Sequence, residues 1–144
     1  MNQELQEKLY NDFPDLYRGK DLPDTVCRMI DGFCCGDGWY EPIREISKQI
    51  TELYIKNNVP KEEQSYTFQV KEKFASLRYY MQWSDSEKFR EQIRDIISKY
   101  TTQASCMCEQ CGAPSSYFVN SDSGWILNVC PKHLPPDYIP CSNT

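Results

Sequence analysis

Residues 66–83 read YTFQVKEKFASLRYYMQW. Tyr66, Phe68 and Val70 alternate with Thr67, Gln69 and Lys71, and Leu77, Tyr79 and Met81 alternate with Arg78, Tyr80 and Gln82. An apolar period of two marks half-buried strands, so the stretch predicts an antiparallel hairpin joined through residues 72–76. No Asn-Gly or Asp-Gly pair fixes the turn type. A lone hairpin is marginal in water. This one must lie on helices, with Tyr66, Phe68, Val70, Leu77, Tyr79 and Met81 as its packed face.

Working outward, the flanks supply those helices. Upstream, Ile43, Ile46, Ile50, Leu53 and Tyr54 keep helical spacing from about residue 41 to residue 57, and Pro42 sits in the first turn, where its missing N–H costs nothing. Downstream, Ser84-Asp85-Ser86-Glu87 has the form of a capping box. Phe89, Ile93, Ile96, Ile97 and Tyr100 then carry a helix to about Thr102. A shorter helix is predicted over residues 2–13, capped by Asn2, stopped by Pro14 and apolar along Leu5, Leu9 and Phe13. A turn-rich stretch follows, ending in Gly36-Asp37-Gly38-Trp39. Asp37 between two glycines suits a turn or cap, with ligand contact as the alternative, and Trp39 suits a core anchor or a ligand platform. Residues 1–103 are thus expected to form an α+β core, two amphipathic helices flanking a β-hairpin.

The C-terminal segment follows a different rule. Cys108, Cys111, Cys130 and His133 form a C-x2-C-x18-C-x2-H array. Each x2 pair curls its side chains toward a common centre, and the four donors can take the tetrahedral arrangement of one structural Zn2+. Gly112 allows the positive φ that turns the chain away from the metal. Residues 116–119 and 125–129 can pair as a second hairpin, and Cys130-Pro-Lys-His133 resembles a helix start, giving a zinc-ribbon or treble-clef-like module over residues 104–134. Residues 135–144 are expected to be a tail, unless Cys141 pins it. Cys106 could replace Cys108 or Cys111 as a ligand, and Cys141 could replace His133. Cys27, Cys34, Cys35 and Cys141 otherwise read as small hydrophobes.

Composition narrows the function classes. The chain has 144 residues, 40% of them apolar and 13% aromatic, which is too rich in large side chains for a disordered protein. No run approaches the roughly 20 apolar residues of a membrane span, and MNQELQEKLY lacks the layout of a signal peptide. A cytoplasmic location without membrane association is expected, where thiols stay reduced and paired cysteines are metal ligands more often than disulfides. Net charge is −5, and residues 104–144 hold Lys132 against Glu109, Asp122 and Asp137, the wrong sign for a finger that grips phosphates. The hairpin is the electropositive element: Lys71, Lys73 and Arg78 stand against Glu72 alone. Lys71, Arg78, Tyr80 and Gln82 would share its outer face, suited to stacking on a base or docking on an acidic protein surface.

Gly36-Asp37-Gly38-Trp39, Val70-Lys71-Glu72-Lys73-Phe74 followed by Leu77-Arg78-Tyr79-Tyr80, then Cys108-x2-Cys111-Gly112, Trp125 and Cys130-x2-His133 resembles a group of short zinc-binding proteins of tailed phages and prophages. The likeness spans roughly residues 33–134 and departs at Ala75 and Ser76, where glycine is expected in at least one of the two places. It implies a phage-type zinc protein expressed in the cytoplasm of a bacterial host, and supplies no activity.

The expected function is non-catalytic. His133 is the single histidine; once a metal takes it, no imidazole remains for acid–base work near neutrality. Asp37 and Glu72 are the remaining candidates, without partners that would make a catalytic constellation. The expected partner is a host protein, bound as a defence inhibitor or host-takeover factor would bind it. The acidic residues 1–40, eight carboxylates against four cations, favour this reading. The alternative is nucleic-acid or nucleotide binding through Lys71, Lys73, Arg78 and Tyr80, with Asp37 and Trp39 as further contact candidates.

Overall fold

A computed structural model describes residues 1–142. The first helix, α1, spans Gln3–Asp12, and the Asn2 side chain accepts the Leu5 N–H at 2.9 Å. Short 3-10 turns and a two-residue strand, β1 (Phe33–Cys34), lead to α2 (Tyr40–Lys56), where Pro42 lies in the first turn as expected. The hairpin consists of β2 (Tyr66–Lys73) and β3 (Ser76–Gln82), antiparallel, with Lys71 opposite Arg78 and Lys73 opposite Ser76. β1 adds to β2 in parallel, so the sheet order is β1-β2-β3. Two residues are too few to show a period, and β1 had no sequence signal.

The hairpin turn is tighter than the five-residue connection expected. Phe74 and Ala75 alone close it, with φ of 51° and 61°. Two consecutive left-handed residues give the turn whose twist matches that of the strands, and the Glu72 carboxylate accepts the Ala75 N–H at 2.6 Å. One part of the expected packed face is corrected. A register shift between Thr67 and Gln69 moves Thr67 into the core and leaves Phe68 half-buried. Val70, Leu77 and Tyr79 are buried as expected, while Tyr66 and Met81 are partly so. A bulge adds one residue to one strand and reverses its alternation there.

The capping box is also corrected. α3 runs over Arg90–Ala104, five residues later than that box would start it. Glu87 does not reach back to its own cap; its carboxylate accepts from Tyr54 Oη, from Ser65 Oγ at 2.7 Å and from the Phe89 N–H at 2.9 Å. Tertiary hydrogen bonds thus outcompete the local motif.

The core sits where α2, α3 and the sheet meet. Ile43, Ile46 and Ile50 of α2 are fully buried, as are Leu9, Trp39, Val70 and Ile93, and each such side chain contributes about 1.5–3 kcal/mol. Four hydroxyls run through this apolar interior. Ser47 meets Tyr17 at 2.6 Å, Tyr17 meets Tyr79 at 2.9 Å, and Tyr79 meets Thr67 at 2.7 Å, so each buried oxygen is satisfied. No helix among the described residues is long and apolar enough to cross a membrane.

The second sheet comprises β4 (Ser116–Asn120), β5 (Ile126–Val129) and β6 (Tyr138–Pro140), antiparallel in the order β5-β4-β6. The expected tail is therefore a strand: Val119 pairs with Ile139, and the Cys141 N–H donates to the Tyr117 carbonyl at 3.0 Å. Asn143 and Thr144, the end of that predicted tail, lie outside the described residues.

Candidate metal centre

A knuckle presents the first two donors. The Cys108 N–H donates to Ala113 O at 2.7 Å and the Gly112 N–H to Cys108 O at 2.8 Å, while Gly112 turns through φ +78°. β5 delivers Cys130, and a 3-10 turn over Pro131–His133, closed by the His133 N–H on Cys130 O at 3.0 Å, returns the imidazole to it. The expected helix start is this single turn, because Pro135 and Pro136 follow at once.

The donor atoms of Cys108, Cys111, Cys130 and His133 all lie within 4.8 Å of one another. Cys111 Sγ is 3.7 Å from Cys130 Sγ; His133 Nδ1 is 3.6 Å from Cys108 Sγ and 3.3 Å from Cys130 Sγ. Metal–sulfur bonds of about 2.3 Å and metal–nitrogen bonds of about 2.0–2.1 Å, set tetrahedrally, give edges of about 3.8 and about 3.6 Å. The group is thus sized to hold one small four-coordinate cation. Desolvation opposes ionisation of Cys130, but hydrogen bonds with His133, Cys111 and the Lys132 N–H outweigh it and draw the thiol down to about 6. Cys106, Cys141, Cys34 and Cys35 lie outside the group.

The knuckle needs a support, because among the described residues its own buried cluster is Cys108, Val129 and Cys130. Gly36-Asp37-Gly38 provides one. The Gly38 N–H donates to Glu109 O at 2.7 Å and the Gly36 N–H to the Glu109 carboxylate at 3.0 Å. A Cβ on Gly38 would stand 2.0 Å from Cys108 O and 2.5 Å from Gly112 N, so only glycine fits this approach. Burial pushes the Glu109 carboxyl above its ordinary range, against the Gly36 N–H that stabilises its charge. From the opposite flank, the fully buried Asn128 of β5 donates to Ala104 O at 3.3 Å and Ser105 O at 3.0 Å, capping the end of α3.

The sequence-predicted contact residues divide into two places. Trp39 is 0% exposed and its Nε1–H donates to Met107 O at 2.9 Å; it anchors the knuckle to the core and cannot be a ligand platform. Asp37 is occupied by α1, accepting the Asn2 N–H at 2.7 Å and the Asn2 amide at 2.9 Å. Lys71, Arg78 and Tyr80 do share the sheet, with Lys71 opposite Arg78 and Gln69 opposite Tyr80. Lys73 ends β2 with its ammonium 5.8 Å from the Phe74 ring centroid.

Sequence reasoning missed Phe74 and Trp125 as surface groups. They are 73% and 60% exposed, and with Glu72, Lys73, Ser123, Gly124 and Ile126 they line a cleft of about 370 Å3 between the turns of the two hairpins. The signal was a large aromatic side chain at a turn, where nothing local can bury it. No protein-family model matches the chain, and no curated protein and no solved structure matches it.

Proposed function

We propose that this protein is a non-catalytic interaction module of phage type, stapled by one structural Zn2+ in a ribbon or treble-clef-like finger, that binds a bacterial host protein. Zinc is the ion of choice for three thiolates and one imidazole at tetrahedral edge lengths. Four protein donors complete that coordination, whereas hydrolytic zinc keeps a position for water. His133 is thereby spent on the metal, which supports the non-catalytic reading.

One observation carries the partner class: Phe74 and Trp125 stand exposed across a single cleft that contains one carboxylate and one ammonium. Exposed aromatic pairs with a thin charged rim are what the centres of protein–protein interfaces are made of. The test is capture from nuclease-treated bacterial lysate with zinc maintained, alongside elemental analysis. One zinc per chain is expected, with a discrete host protein retained as salt rises and lost from the Phe74→Ser/Trp125→Ser variant. Absence of zinc, or a bound fraction that the double variant retains in full, would overturn the reading.

A further inference from the structure

A second surface shares no residue with the Phe74/Trp125 cleft. Tyr80 and Met81 line two adjoining clefts: one of about 490 Å3 along β2 and β3 with Gln69 and Lys71, and one of about 390 Å3 between β3 and α3 with Trp83 and Arg94. Two guanidinium groups gather over one indole there. Arg90 Cζ is 4.9 Å and Arg94 Cζ 5.7 Å from the Trp83 ring centroid, both within cation–π range. On the sheet, Lys71 and Arg78 stand directly opposite in register, an arrangement that repels unless an anion lies between or above them.

These cations are unbalanced. Among the described residues, Lys20, Arg28, Arg44 and Lys61 each pair with a carboxylate; Lys71, Arg78, Arg90 and Arg94 are among the twelve of sixteen cations that do not, and what sets them apart is their place beside these clefts and the Trp83 ring. No acidic side chain lines either cleft, although the chain carries a net charge of −5. Positive charge concentrated beside aromatic rings, on an otherwise acidic protein, selects a polyanion with faces that can stack.

We infer that the two clefts form one groove for single-stranded nucleic acid. Lys71, Arg78 and Arg94 meet phosphates, Tyr80 at the junction stacks on a base, and Trp83, backed by Arg90, takes a neighbouring base. The cations are spread over three elements, β2, β3 and α3, beside two adjoining clefts. A duplex hides the base faces that Tyr80 and Trp83 require, so the unpaired strand is the ligand. This goes beyond the host-protein reading and rests on different residues.

Fluorescence anisotropy of labelled oligothymidine and oligouridine, titrated with the zinc-loaded full chain, tests it. Binding should weaken with salt, and Lys71→Gln and Arg94→Gln should each lower the log–log salt slope by about 0.7. Tyr80→Ala should cost about tenfold in affinity at constant salt. Lys48→Gln on α2 should change nothing, and Phe74→Ser/Trp125→Ser should leave oligonucleotide binding intact, which separates failure here from failure of the host-protein reading. The inference is overturned if the wild-type chain binds no strand at low salt, or if Lys48→Gln weakens binding as much as Arg94→Gln. Tighter binding to duplex, or capture of a protein through Arg94 and Tyr80 while oligonucleotides ignore both, would overturn it equally.

Discussion

Gly38 and Gly124 separate two reasons for a glycine. Gly38 is needed for space: the atoms its Cβ would meet are backbone atoms of Cys108, Gly112 and Cys111, which cannot rotate away. Gly124 is needed for conformation alone, with φ +73° and nothing within 4 Å. Gly38→Ala should therefore lower stability by about 3 kcal/mol and weaken metal retention against a chromogenic chelator, whereas Gly124→Ala should cost about 1 kcal/mol with metal retention unchanged. Urea midpoints and chelator competition read both. The opposite sign is expected at Phe74, a non-glycine residue at φ 51° with most of its ring in solvent. Phe74→Asn should stabilise the hairpin by about 1 kcal/mol, because asparagine tolerates that conformation. The same change should lose the proposed host partner, so stability and binding move in opposite directions.

At the scale of elements, the hydroxyl chain linking α2, the sheet and the segment after α1 makes a pH prediction. Burial, the largest cause, raises Tyr79 to about 12 and Tyr17 well above its ordinary value, and also raises the half-buried Tyr10 to about 12. These phenols stay protonated in the fold while unfolded tyrosines ionise near pH ~10. The unfolded state then holds fewer protons, so the stability these groups contribute is complete below pH ~10 and falls above it: the buried Tyr79 alone removes about 1.4 kcal/mol per pH unit up to about pH 12, Tyr17 adds to the loss, and the half-exposed Tyr10 adds less because solvent screens it. Urea midpoints together with phenolate absorbance measure this; ionisation of every tyrosine near pH ~10 in the folded protein would contradict it.

The same scale shows what the sequence made legible. α1, α2 and the two long strands were readable because their apolar spacing and the Asn2 cap are local. The four-donor group was readable because metal geometry constrains spacing directly. The bulge at Thr67, the late start of α3 and the strands β1 and β6 were not, since each depends on a distant partner: Tyr79 for Thr67, Tyr54 and Ser65 for Glu87, Val70 for Phe33, Val119 for Ile139. Asn128 was likewise silent, because its role is set by the carbonyls at the end of α3.

For the whole molecule, the candidate metal centre and the N-terminal third are one mechanical unit. Asn2 holds Asp37, Gly36 and Gly38 hold Glu109, and Trp39 holds Met107. Chelation should therefore do more than loosen residues 108–133. Hydrogen exchange should show lost amide protection there and at Gly38, whose N–H has Glu109 O as its acceptor, while the paired amides of β2 and β3 stay protected. Unchanged protection at Gly38 after metal removal would show that its contact with the knuckle survives without the ion.

The last described strand has a consequence for handling the protein. Because Tyr138–Pro140 lies along Ser116–Asn120, clipping the chain after Leu134 would strip that flank and leave a row of unsatisfied amides and carbonyls facing solvent. Such a bare margin recruits strands from other molecules. A trimmed preparation should accordingly polymerise with concentration in light scattering, while the intact chain stays dispersed.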